Sequence, residues 1–364
     1  MTTVHPITRS QSAILNLLRF LCSQGVLWGH CMFFFSFTSE KFNGLSSYCV
    51  LVFFVLSGYL ISYSLFKKIS EDSTYSFRGF FLDRFFRIFP PFIGSLVFVF
   101  VLDIVGFNIT GQFYSISQYW LNFALNLLQL QEFPLATFLN EHYMLEIFRF
   151  HYFGTNLPLW TISIEWWLYM FFGFFVFYFI KEKKPKPLHL GILLFLLLTP
   201  LYYLFVAARM EKGLTLYWFL GVLITLGSRS SFAIKSRPVL YSVNLILLIV
   251  GVFGFPWFGY DVTILIFFLS LFLLMNYNRQ EYAVLSNWIF QLSTRLAGYS
   301  YSLYLIHYSI LFFVITVIQP AATWSNFVLV YLGINTIAII FAAVFEKHSK
   351  KLQIRYENYR SRSH

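Results

Sequence analysis

Three ionisable side chains stand where an apolar sequence should not carry them. Arg19 and His30 share one hydrophobic run, Arg19-Phe-Leu-Cys-Ser-Gln-Gly-Val-Leu-Trp-Gly-His30. On a helix the interval returns His30 to within about 20° of Arg19, roughly 16 Å further along the axis. Glu165 sits in a second run, Leu159-Trp-Thr-Ile-Ser-Ile-Glu-Trp-Trp-Leu-Tyr169, roughly 10–12 Å from that helix's start and at a depth comparable with His30. An unpaired charge in hydrocarbon is costly, so a His30–Glu165 pair is the plain way to accommodate both. Such a pair is also a general base with an orienting carboxylate. The same residues admit a structural reading, with Arg19 snorkelling to the interface and His30 and Glu165 satisfying one another.

Three further segments carry potential chemistry. Arg84-Phe-Phe-Arg87-Ile-Phe-Pro-Pro91 places two guanidinium groups on one helical face. They suit phosphate oxygens, which guanidinium binds in bidentate fashion, and equally suit a cytoplasmic boundary that needs positive charge. Ser57-Gly58 lies within an apolar stretch, where small residues let two helices approach closely. Tyr304 and His307 close the segment Gly298-Tyr-Ser-Tyr-Ser-Leu-Tyr-Leu-Ile-His307, whose hydroxyls can line a polar cavity or bond between helices. His307 is open to substrate binding or to packing. Asp103 and Asp261 are read as boundary residues near span ends. Cys22, Cys31 and Cys49 lack metal-ligand spacing and are read as buried thiols; no metal site is expected.

The elements that must position these groups follow from composition. Of 364 residues, 58% are hydrophobic, 22% aromatic and only 11% charged, against about 25% charged in soluble domains. That excludes disorder, a coiled coil and a secreted disulfide scaffold, and leaves an all-α, polytopic bundle of transmembrane helices in the lipid bilayer. Ten apolar runs reach or approach the ~20 residues of a span: 13–35, 47–66, 88–106, 157–180, 188–207, 213–228, 238–254, 258–276, 297–319 and 324–345. An amphipathic stretch, Tyr119 to Leu130, is expected in the interface or as a re-entrant helix. With the N-terminus inside, 21 of the 26 Lys and Arg fall in cytoplasmic segments and four outside, which predicts both termini in the cytoplasm. The net charge of +11 is then mostly topological, and no nucleic acid partner is called for.

In order along the chain, Arg19-x10-His30, the Phe53–Leu60 Ser-Gly segment, Arg84-x-x-Arg87 with Ile-Phe-Pro-Pro, Trp160 to Tyr169 with Glu165, and Ser300 to His307 resemble acyltransferase family 3 of integral-membrane acyltransferases. The resemblance runs from residue 15 to 346. It departs from the family pattern at Asn16-Leu17, where Asp-Gly is common, at Trp166-Trp167, where Glu-Gln is frequent, and at Glu346-Lys-His348, which lacks the usual Pro.

The resemblance implies transfer of an acyl group, most often acetyl, from acyl-CoA to a hydroxyl of a cell-surface glycan or glycolipid. That chemistry would sit in the inner membrane, in a single domain spanning 1–364 without a C-terminal extracytoplasmic hydrolase-like domain. It implies His30 as base with Glu165 orienting it, and Arg19, Arg84 and Arg87 on the donor. Ser57, Tyr304 and His307 remain substrate-binding or structural, and no permanently bound cofactor is expected. The alternative class is a transporter or flippase for an envelope glycan or lipid precursor, using the same buried charges for passage.

Overall fold

The computed structural model describes residues 6–38, 43–112, 119–131, 133–134, 152–183, 185–206, 213–227, 237–276 and 287–362. Among them the regular structure is helical throughout and contains no strand. The helices are α1 (Arg9–Phe34), α2 (Asn43–Glu71), α3 (Phe77–Thr110), α4 (Tyr119–Leu127), α5 (Trp160–Phe175), α6 (Pro187–Leu201), α7 (Leu214–Gly227), α8 (Arg237–Met275), α9 (Asn287–Ala297), α10 (Ser300–Phe313) and α11 (Trp324–Arg362). A short 3-10 turn, Leu157–Leu159, precedes α5, and α5, α6 and α10 each widen into a π turn at their ends. Among the described residues, six helical stretches are long and apolar enough to cross a bilayer: Gly44–Glu71, Phe77–Thr110, Leu157–Lys181, Pro187–Phe205, Asn287–Ile318 and Trp324–Ile354. Leu214–Gly227 and Asp261–Met275 are shorter apolar helices. The chain is a multi-pass membrane protein.

Three boundaries differ from those the apolar runs predict. The third run, expected from residue 88, belongs to a helix that begins at Phe77, so Arg84 and Arg87 lie on α3 rather than in the preceding loop. Proline inside a helix removes the N–H that would bond the carbonyl four residues back. For Pro90 that carbonyl is Phe86, and the Ser349 hydroxyl of α11 donates to it instead. The break expected near Pro256 falls at Gly259, where φ is 69° and ψ −174°. Finally, the basic C-terminal segment expected as a tail after 345 continues α11 to Arg362.

The chain divides into two compact units. One comprises Met1–Val26, Gly44–Tyr75 and Tyr203–Gly298, hence Arg19 and helices α2, α7, α8 and α9. Its central seam is α2 against α7, where the backbones nearly touch. A Cβ on Gly58 would run into the Trp218 carbonyl, and one on Gly221 into the Val55 carbonyl. The Trp218 indole N–H donates to Ser57 Oγ at 3.3 Å. One turn on, the Ser62 and Thr225 hydroxyls meet at 2.7 Å. The small residues of the Ser-Gly segment thus serve helix approach here. Gln11 Nε2 ties α1 to the last carbonyls of α8, Leu274 and Met275, at 3.1 and 3.2 Å. Asp261, read as a boundary residue, accepts from the Tyr217 hydroxyl.

The other unit comprises Leu27–Asn43, Ser76–Tyr202 and Tyr299–His364, and so holds His30 and helices α3, α4, α5, α6, α10 and α11. Helix α10 packs against both α3 and α11, while α5 packs against α6 and α3. Close approaches of Gly94 to Phe345 and of Gly173 to Phe80 set α3 against α11 and against α5. All three cysteines are free and buried.

Candidate active site

The second unit gathers most of the residues singled out from the sequence around one side of α10. Tyr304 and His307 lie on successive turns of that helix, and His307 is 1% exposed. Its Nδ1 is 3.0 Å from the Leu303 carbonyl and 2.9 Å from the Tyr304 carbonyl. Carbonyl oxygens only accept, so Nδ1 carries the proton and Nε2 of the neutral ring holds a lone pair. That Nε2 is buried with no hydrogen-bond partner.

His30, carried by α1, packs its ring against His307 at 5.3 Å between centroids, with the planes tilted by 32°. Tyr308 closes over it edge-on at 5.2 Å. The ring that the fold sets beside His30 is therefore a second imidazole. Glu165 Oε2 accepts from the Tyr169 hydroxyl, one turn along α5, at 2.8 Å. Tyr304 bridges toward the histidines: its ring lies 5.8 Å from His307, and its hydroxyl meets Thr161 Oγ1 at 2.7 Å.

At the N-terminal end of α10, Glu346 of α11 accepts from the Ser302 N–H at 3.2 Å and from its hydroxyl at 2.6 Å. A carboxylate there satisfies an otherwise orphan N–H and complements the helix dipole. The Tyr301 hydroxyl donates to the Ile88 carbonyl of α3 at 3.3 Å. Arg84 lies over the Phe80 ring at 5.7 Å. Both arginines of the Arg-x-x-Arg pair are half-buried on α3. Arg19 and Ser57 belong to the first unit.

Sequence reasoning missed the network at the opposite end of α10. Asp103, treated as a span-end residue, accepts from Thr155 Oγ1 at 2.8 Å and from the Tyr119 hydroxyl at 3.1 Å. The Thr155 and Ser309 hydroxyls meet at 3.1 Å, and Asn156 Nδ2 donates to the Leu305 carbonyl at 2.5 Å. Gly154 adopts φ +57°, and a Cβ there would strike Asp103. An acidic residue inside an apolar run was the available signal. Tyr119–Leu127 is a helix, as the amphipathic pattern predicts, with Asn122 and Asn126 buried. Most of segment 114–150 lies outside the described residues, as do Lys41, Arg149, Arg209 and Lys212. Among the described residues no group of three or more His, Cys, Asp or Glu could hold a metal ion.

Comparison with protein families matches residues 12–346 to the acyltransferase domain of family 3, nearly the whole chain. The chain belongs to acyltransferase family 3. This family 3 member is accordingly a membrane acyltransferase, which favours group transfer over the transport alternative. No curated protein and no solved structure matches it.

Proposed function

We propose that this acyltransferase moves an acetyl group from acetyl-CoA to a hydroxyl of a cell-surface glycan, such as an O-antigen or exopolysaccharide, from within the inner membrane. The observation that carries the reading is the pair of imidazoles, His30 beside His307, held between helices in an otherwise aromatic and apolar setting. A neutral imidazole in low dielectric is a competent base for a hydroxyl that ordinarily keeps its proton. In this reading His30 takes the hydroxyl proton as the oxygen attacks the thioester carbonyl.

Arg84 and Arg87 bind the phosphates of the donor. Two guanidinium groups three residues apart, both half-buried on one helix, supply paired donors in a fixed fork. Arg19 is assigned to the same donor by its place in the Arg-x10-His pattern. Glu165 supports the histidines from α5, whose Thr161, one turn earlier, meets the Tyr304 hydroxyl at 2.7 Å.

The test is thiol release from acetyl-CoA by the full chain purified in detergent, alongside O-acetyl analysis of envelope polysaccharide with and without the gene. His30→Ala is expected to lower transfer by about 10²–10⁴-fold, the share of a general base. Full transfer by that variant would sink the assignment.

A further inference from the structure

We propose that His307 is a positioning residue, the hydrogen-bond acceptor that holds His30 in its working tautomer. The proposal rests on the reading of His30 as the base and names the group that orients it.

Two observations carry it. First, the tautomer of His307 is fixed by its own helix. With Nδ1–H given to the Leu303 and Tyr304 carbonyls, Nε2 can only accept while the ring is neutral. Second, this acceptor is buried and unpartnered, and the ring packed beside it is His30 at 5.3 Å. A buried acceptor left unpaired forfeits a hydrogen bond it had in water. That cost disappears if a nearby N–H turns toward it. Two imidazoles joined edge to edge by one N–H···N bond have centroids about this far apart, so rotation of the His30 ring suffices. The Glu165 carboxylate, by contrast, is engaged by Tyr169.

Once His30 gives its N–H to His307, its other nitrogen presents a lone pair. The step then balances as a direct transfer. The acceptor O–H bond breaks and its proton passes to the free nitrogen of His30, while the oxygen forms a C–O bond to the thioester carbonyl carbon. Collapse of the tetrahedral intermediate breaks the C–S bond, and the thiolate leaves with that proton as coenzyme A thiol. His307 binds no substrate and gains no net proton.

The experiment uses the full chain in detergent, acetyl-CoA as donor, and water in place of the acceptor hydroxyl. His307→Ala should lose about 10- to 100-fold in kcat, the usual cost of removing an orienting partner, with KM for acetyl-CoA unchanged. His307→Gln, which keeps an acceptor oxygen, should recover to within about tenfold of wild type. Combined with His30→Ala, His307→Ala should add nothing further, because the two act as a unit. A wild-type rate in His307→Ala would overturn the proposal, as would a folded His307→Gln no better than His30→Ala. Nitrogen-15 spectra of histidine-labelled wild type need no variant: Nδ1–H on His307 is expected, and the opposite tautomer overturns the proposal. Absence of thiol release from the wild type, or full activity in His30→Ala, instead removes the underlying reading of His30.

Discussion

At the residue scale, the polar groups around α10 divide into two kinds. Tyr304, Ser302 and Thr155 are satisfied by named partners, whereas His307 keeps one buried nitrogen unpaired. A satisfied group rigidifies; an unpaired one stores interaction energy that chemistry can use. Asp103 is of the first kind. It collects hydroxyls from Thr155 and Tyr119 and so holds the segment before α5 onto α3. Removing it strands two donors in a half-buried setting. Asp103→Ala is therefore expected to destabilise the protein by about 1–3 kcal/mol, read as a lowered melting temperature in detergent. Asp103→Asn, which keeps one acceptor oxygen, should lose less. Equal melting of Asp103→Ala and wild type would show that the network carries no stability.

At the element scale, helices here are set by how closely their backbones approach. The α2–α7 seam depends on the absence of side chains at Gly58 and Gly221, because a Cβ at either meets main-chain atoms that cannot turn aside. Gly58→Ala should force the two helices apart and cost about 1–3 kcal/mol, the range for overpacking. Ser57→Ala, which loses one long hydrogen bond from Trp218, should cost at most about 1.5 kcal/mol. Thermal melts of both variants in one detergent check the order; a milder Gly58→Ala would contradict the seam. The same scale explains the Pro90-Pro91 pair. Read alone, two prolines mark a helix start. Within α3 the carbonyl freed by Pro90 finds the Ser349 hydroxyl, so the helix continues and carries Arg84 and Arg87 with it.

At the scale of the whole molecule, the outward apolar surface is the signature of lipid contact. Leu188, Phe205 and Leu329 are 70%, 69% and 68% exposed, an arrangement water would penalise at roughly 25 cal/mol per Å². The charge asymmetry gives orientation. With 21 of 26 basic residues on one side of the expected topology, both termini are predicted in the cytoplasm. Fusions at the C-terminus check this: green fluorescent protein should fluoresce there and alkaline phosphatase should stay inactive. The reverse pair of results would invert the topology.

The sequence by itself determined the chemical class of the surface, the helical nature of the elements and the set of residues worth testing. Composition and hydropathy act on every residue independently of its neighbours in space, so they survive without a fold. Arg19, His30 and Glu165 stood out because each is costly in an apolar run, and Arg84 and Arg87 because their spacing puts two guanidinium groups on one helical face. The family pattern then tied them to acyl transfer. Which residues meet was decided only by the tertiary structure. Depth along a helix follows from counting residues, but pairing also needs the helices to be neighbours and their faces to turn together. Those are long-range choices made by packing at places such as Gly94 against Phe345. Hence counting puts His30 and Glu165 at one expected depth, whereas packing sets His30 beside His307 and gives Glu165 the Tyr169 hydroxyl.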